Sequence, residues 1–166
     1  MIDPSRRRRR TGAHHVRQVE PNWLRGLKAY LAVAAVAKIA WEIVQLPLYT
    51  IWTTGTAREM AFSVLQCTGG DVLIALSALT LALIVVGTKS WPAENHQRVL
   101  LITLSLGIGY TIFSEWLNIV ARSSWAYSSL MPAIPVFKTG LSPLLQWIGV
   151  PLLSLTAAKI GGAEKH

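Results

Sequence analysis

Only one of the 166 residues, Cys67, is a cysteine, so no disulfide can form within the chain and no cysteine-based zinc cage can be built. Charge is also scarce. Charged residues make up 14% of the chain, too few to clothe a soluble globule of this length. Histidine occurs four times, at His14, His15, His96 and His166, and none of these lies in the middle of an apolar run. That distribution speaks against haem ligation or a histidine-based metal site within the apolar core. The chain has no Walker loop, G-x-S-x-G elbow, H-E-x-x-H or dinucleotide fingerprint, which removes the best-marked nucleotide and hydrolase chemistries.

Hydrophobicity is what the chain has in quantity. Apolar residues reach 52%, which excludes general disorder. Four long apolar stretches stand out, over about 27–49, 71–87, 99–121 and 141–160. Each is close to the 17–25 residues a helix needs to cross a bilayer. Each is apolar round most of its circumference, which suits lipid rather than water outside. The fold expected is all-α, an integral membrane four-helix bundle spanning 23–161.

The formal charge of +8 is concentrated at one end. Arg6 to Arg10 form a run, followed by Arg17, Arg25 and Lys28. No basic and aromatic residues alternate beside it, so the run reads as a disordered cytoplasmic tail over 1–22 that touches anionic membrane lipid, not as a nucleic-acid arm. No short apolar core with a small-residue cleavage site follows, so a cleaved leader is not expected. Twelve of the sixteen basic residues fall in the N-terminal segment, the 88–98 loop and the C-terminal end, where 162–166 form a second tail. The other two loops hold Arg58, Arg122 and Lys138. By the positive-inside rule both termini are expected in the cytoplasm, in a cell membrane. Trp23 and Trp91 suit the inner interface, and Trp52, Trp125 and Trp147 the outer one.

The first outer loop shows helical signals. Thr56 and Glu59 have capping-box spacing, and Ala57, Met60, Ala61, Val64 and Leu65 repeat at helical intervals. A short interfacial helix is expected there, ended by Thr68-Gly69-Gly70, with Asp71 capping the next span. Pro132 and Pro135 mark the second outer loop, which is aromatic enough to be an ordered lid. Pro151 falls inside the fourth span and frees a carbonyl.

Ionisable residues within a bilayer cost roughly 2.5–3.5 kcal/mol on insertion scales, so each needs a reason. Lys38 and Glu42 lie four apart in the first span and are expected to form an ion pair. Glu115 and Asn118 share a face of the third span, with Tyr110 beside them. Counting turns brings Glu42, Asp71, Glu115 and Gln146 of the fourth span toward one depth in the outer half of the membrane. Tyr49, Trp125 and Tyr127 join from the adjoining loops.

Close carboxylates in a low dielectric cannot all ionise, and this places an acid beside a base. Glu115, with no basic residue at helical spacing, is the candidate general acid. Glu42 is the candidate base or cation stabiliser, and Asp71 is a third acid or a cap. Tyr49, Tyr110, Asn118, Trp125, Tyr127 and Gln146 are the candidate substrate-binding residues. The reading is acid–base chemistry of the isomerase, cyclase or hydratase type on a lipophilic, isoprenoid-like molecule, with no cofactor and no metal. Two other classes fit the same sequence. One is a non-catalytic subunit or assembly factor of a larger membrane complex. The other is a proton or cation transporter, for which so small a bundle would need to form a homo-oligomer.

Overall fold

A computed structural model describes residues 22–163; the arginine run and the tail histidines lie outside the described residues. The described chain is mostly helical. It holds four helical segments long and apolar enough to cross a membrane, over Asn22–Leu48, Ala57–Val86, His96–Ala121 and Leu141–Gly162.

Helix α1 covers Asn22–Gln45 and tightens into a 3₁₀ turn over Leu46–Leu48, where Pro47 is tolerated in the first turn. A single turn, α2, follows at Ile51–Thr54. Helix α3 covers Ala57–Val86. The expected capping box opens it: the Glu59 carboxylate accepts from the Thr56 backbone N–H at 2.8 Å, and the Thr56 hydroxyl accepts from the Glu59 N–H. Gly87, at φ +65°, closes it in the left-handed conformation that favours glycine.

The short interfacial helix is corrected by α3. Residues 57–70 do not form a separate element; the helix runs unbroken through Gly69-Gly70 and Asp71. Asp71 is therefore a mid-helix side chain rather than an N-cap. Two glycines cost a helix about 1 kcal/mol each relative to alanine. Breaking the helix among apolar residues would strand several backbone groups at a larger cost.

Helix α4 covers His96–Glu115 and continues as a π-helical turn over Trp116–Ala121. The segment after it carries a two-residue antiparallel ladder, β1 (Ala133–Ile134) with β2 (Thr139–Gly140). Helix α5 covers Leu141–Gly162 and accommodates Pro151 in its interior.

The four long helices form a ring in which α1 packs on α3 and α5, and α4 packs on the same two. Thus α1 and α4 are diagonal partners, as are α3 and α5. The apolar core lies toward the end formed by Asn22, Val86, His96 and Gly162. Tyr30, Ala75, Leu79, Ala82, Val99, Leu155 and Ala158 are buried there. Trp91, expected at an interface, is buried in this core, and Pro92 beside it packs where a side chain on Gly162 would sit. At the opposite, capped end the chain is stitched across. Tyr49 bridges Tyr127 in antiparallel fashion, Thr50 N–H donates to the Ala126 carbonyl at 3.0 Å, and Ser128 N–H donates to the Leu48 carbonyl at 2.9 Å.

Candidate functional site

Above the core the helices separate. Between Asp71 and the start of α3 only Val64 is buried, whereas Ala75, Ala78, Leu79 and Ala82 are buried below it. The space left between the helices is a cavity of about 610 Å³. This lies within the roughly 300–1,000 Å³ range of small-molecule sites.

Each long helix sends at least one acid or amide to the cavity wall: Glu42 and Gln45 from α1, Gln66 and Asp71 from α3, Glu115 from α4 and Gln146 from α5. Tyr49, Tyr110, Asn118 and Trp125 also line it. Tyr127 is not on the wall; it stands behind Glu115. Its hydroxyl donates to Glu115 Oε2 and accepts from the Gly140 N–H at 2.6 Å. Burial, then the Glu115 carboxylate, push the Tyr127 phenol above its ordinary range, so it remains a hydrogen-bond donor. Tyr49, 5.6 Å from the Tyr127 ring, is pushed the same way, first by burial and then by the charge of Glu115.

The three carboxylates have different partners. Lys38 Nζ lies 2.9 Å from Asp71 Oδ2 and 3.6 Å from the centre of the Trp147 ring. The expected Lys38–Glu42 ion pair is thus corrected to Lys38–Asp71. The physical reason is the continuous α3, which brings Asp71 across from Lys38 and leaves Glu42, one turn higher, to another helix. Glu42 Oε1 accepts from the Gln146 amide at 3.0 Å. Glu115 is held by Tyr127, with the Trp125 indole beside it but not completing a hydrogen bond. Among the described residues, no group of three His, Cys, Asp or Glu side chains converges closely enough to hold a metal ion.

No protein-family model, curated protein or solved structure matches the chain.

The site therefore rests on its own geometry, and several parts of that geometry have no counterpart among the sequence candidates. Trp147, expected at an interface, is buried and forms the floor between the cavity and the core. It fits there because Gly107 faces it; a Cβ on Gly107 would clash with the six-membered ring of the indole. A polar chain links α1 to α5: Trp41 Nε1 donates to Ser142 Oγ at 3.1 Å, and that hydroxyl donates to Gln45 Oε1 at 2.9 Å. Its sequence signal is i, i+4 spacing, Trp41 with Gln45 and Ser142 with Gln146, which puts each pair on one helix face. The π-helical turn after Glu115 is another such feature, and π turns recur at functional sites. Asn118, on that turn, donates back to the Ser114 carbonyl at 2.9 Å.

Proposed function

We propose that the protein is a membrane-embedded enzyme carrying out acid–base chemistry on a lipophilic, isoprenoid-like substrate. The observation that carries this reading is the pairing of the carboxylates around one cavity. Asp71 has a cation, Glu42 has an amide donor, and Glu115 has a phenol donor and, among the described residues, no cation. Unequal surroundings of this kind separate acid from base. Glu115 is the general acid, steadied by Tyr127. Glu42 is the base. Asp71, neutralised by Lys38, is a fixed charge in the wall. In an isomerisation, Glu115 protonates a carbon–carbon double bond of the substrate. The carbocation is held by the carboxylates and by the Tyr110 and Trp125 ring faces. Glu42 then removes a proton from a neighbouring carbon, so the double bond moves and nothing is oxidised or reduced.

The bundle is read as crossing the membrane with its capped end outward and both termini cytoplasmic, on the twelve-to-three division of basic residues between its ends. Transport finds less support, because fully buried Tyr30, Leu79, Val99 and Leu155 fill the bundle below Trp147.

Glu115→Gln tests the reading. It keeps the side-chain shape and removes the proton. Loss of a general acid costs roughly 10²–10⁴ in rate. In a strain lacking the gene, wild-type protein should restore the lipid profile seen by mass spectrometry, and the variant should insert, remain folded and leave a precursor lipid accumulated. A Glu115→Gln protein that restores the profile fully removes the acid–base reading and leaves a non-catalytic subunit of a membrane complex in its place.

A further inference from the structure

The exposed residues of the cavity lining lie in two places, Thr54, Ser124 and Ala126 at the capped end and Gln66 and Gly70 on α3 with Tyr110 on α4 at the side of the bundle. Gly70 and Tyr110 bear on a side entrance. They stand at one level, sixteen residues from the Val86 end of α3 and fourteen from the His96 end of α4. At 1.5 Å per residue this is about 24 and 21 Å along the two helices. With the core end of the bundle at one membrane surface, that level lies inside a hydrocarbon layer roughly 30 Å thick.

The residues on the two sides suit a passage. The α3 wall includes Ser63, Cys67, Gly70 and Ile74, spaced along one helix face, three of them small, with Val64, Gln66 and Asp71 beside them. A Cβ placed on Gly70 would meet no atom within 4 Å, so packing within the protein does not require glycine there. Glycine is also the poorest helix former after proline. An unpacked glycine inside a helix, on the wall of a cavity, keeps space for something that is not part of the chain. On the α4 side, Tyr110 begins a ladder of exposed rings, with Phe113 at 6.5 Å and Trp116 a further 6.4 Å on. This ladder continues the cavity wall onto the lipid-facing surface.

We infer that the cavity is loaded sideways from the bilayer through a portal between α3 and α4, and that its ligand is a long lipophilic molecule whose reacting end reaches Glu42 and Glu115 while the rest of its apolar chain leaves past Gly70 and Tyr110. This inference rests on the proposed function only in treating the chain as membrane-embedded and the cavity as the substrate site. It adds the route and the shape of the ligand.

Cys67, the one thiol of the chain, lies on the cavity wall and reports access directly. The experiment uses the full chain in phosphatidylcholine nanodiscs with two probes, a lipid-partitioning N-alkyl maleimide and a sulfonated maleimide confined to water. The alkyl reagent should label Cys67 and the sulfonated one should lag far behind. Gly70→Leu should slow alkyl labelling roughly tenfold, the factor given by about 1.4 kcal/mol. Tyr110→Ala should speed it. Gly69→Leu, one residue off the wall, should leave it unchanged and controls for any effect of leucine on the helix. Gly70→Ala gives a milder slowing if the leucine variant does not fold. Equal labelling by both reagents, or alkyl labelling indifferent to residues 70 and 110, overturns the portal. Access to Cys67 does not depend on proton transfer by Glu115, so the portal and the chemistry fail separately.

Discussion

Lys38 is fully buried, and its partner Asp71 keeps about 20% of its side chain exposed toward the cavity. The two substitutions that break the pair should therefore differ. Removing one partner of a buried ion pair costs about 3–5 kcal/mol, because the other charge is stranded. Lys38→Met strands Asp71, which cavity water can reach, so its cost should fall near the lower end. Asp71→Asn strands an ammonium that retains the Trp147 ring face, a contact worth about 2 kcal/mol when desolvated, and the longer-range attraction of Glu42, with no hydrogen-bonded carboxylate, so its cost should fall near the upper end. The double variant strands nothing, and methionine packs well on an aromatic ring. Its cost should be about 1–2 kcal/mol, less than that of either single change. For a chain of this size 1 kcal/mol moves Tm by roughly 2–4 °C. The single variants should then lose roughly 6–20 °C in detergent, read by circular dichroism, with the double variant well above both. Lys38→Met combined with Glu42→Gln provides the contrast, since Glu42 bonds to Gln146 and should show no such recovery. Additive losses in the Lys38/Asp71 cycle, or recovery in the Lys38/Glu42 cycle, would refute the pairing and the continuous α3 behind it.

Gly107→Ala pushes a methyl group into the Trp147 ring and should cost about 1–3 kcal/mol by overpacking, visible as a drop in Tm despite alanine's better helix propensity. In a Cys67→Ser background, a membrane-impermeant thiol reagent applied to intact cells should label Leu130→Cys and miss Glu94→Cys; the reverse pattern would invert the topology. Tyr127 and Tyr49 have phenols raised above their ordinary value of about 10, so they stay protonated as pH climbs through that value. Tyr127→Phe and Tyr49→Phe should accordingly have the same phenolate absorbance as the wild type between about pH 9 and 10.5; a lower absorbance in either variant would show that its phenol ionises in that window.

The four long helices were legible because length and apolarity are local properties, read residue by residue. The error at α3 came from weighting a local signal above its surroundings. Thr68-Gly69-Gly70 stops a helix in water, where freed backbone groups find solvent; in a bilayer the same groups would find none. A helix ended at Gly69-Gly70 would put Asp71 at a helix start and leave Glu42 as the acid nearest Lys38 in sequence; the unbroken α3 puts Asp71 opposite Lys38 instead. Four-residue spacing finds neighbours on one helix, but Lys38–Asp71 and Glu42–Gln146 are contacts between helices, fixed by the ring order of the bundle. Counting turns identified the helical residues that line one cavity, since helical rise is regular. It could not separate Tyr127 behind Glu115 from Trp125 beside it, because the 122–140 segment has no regular rise. Trp147 resembles an interface anchor in the sequence; what buries it is Gly107, forty residues away.

The stitch between the two connecting segments also bears on the order in which the protein is made. Thr50 and Ala126 are 76 residues apart, and Ser128 and Pro47 are 81 apart, so these bonds close only after three long helices have been synthesised. Tyr127 then needs Gly140 at the head of α5 to hold its hydroxyl, and Gln146 and Trp147 follow from α5 itself. Membrane helices can form one by one before they associate. The Lys38–Asp71 pair needs only α1 and α3, but until α5 arrives Glu42 lacks the Gln146 amide, Glu115 lacks an anchored phenol and the cavity lacks its Trp147 floor. In the proposed reading the acid and the base are therefore in place only once α5 has docked, and a bundle that fails at that step leaves Glu42 and Glu115 without the partners that tell them apart.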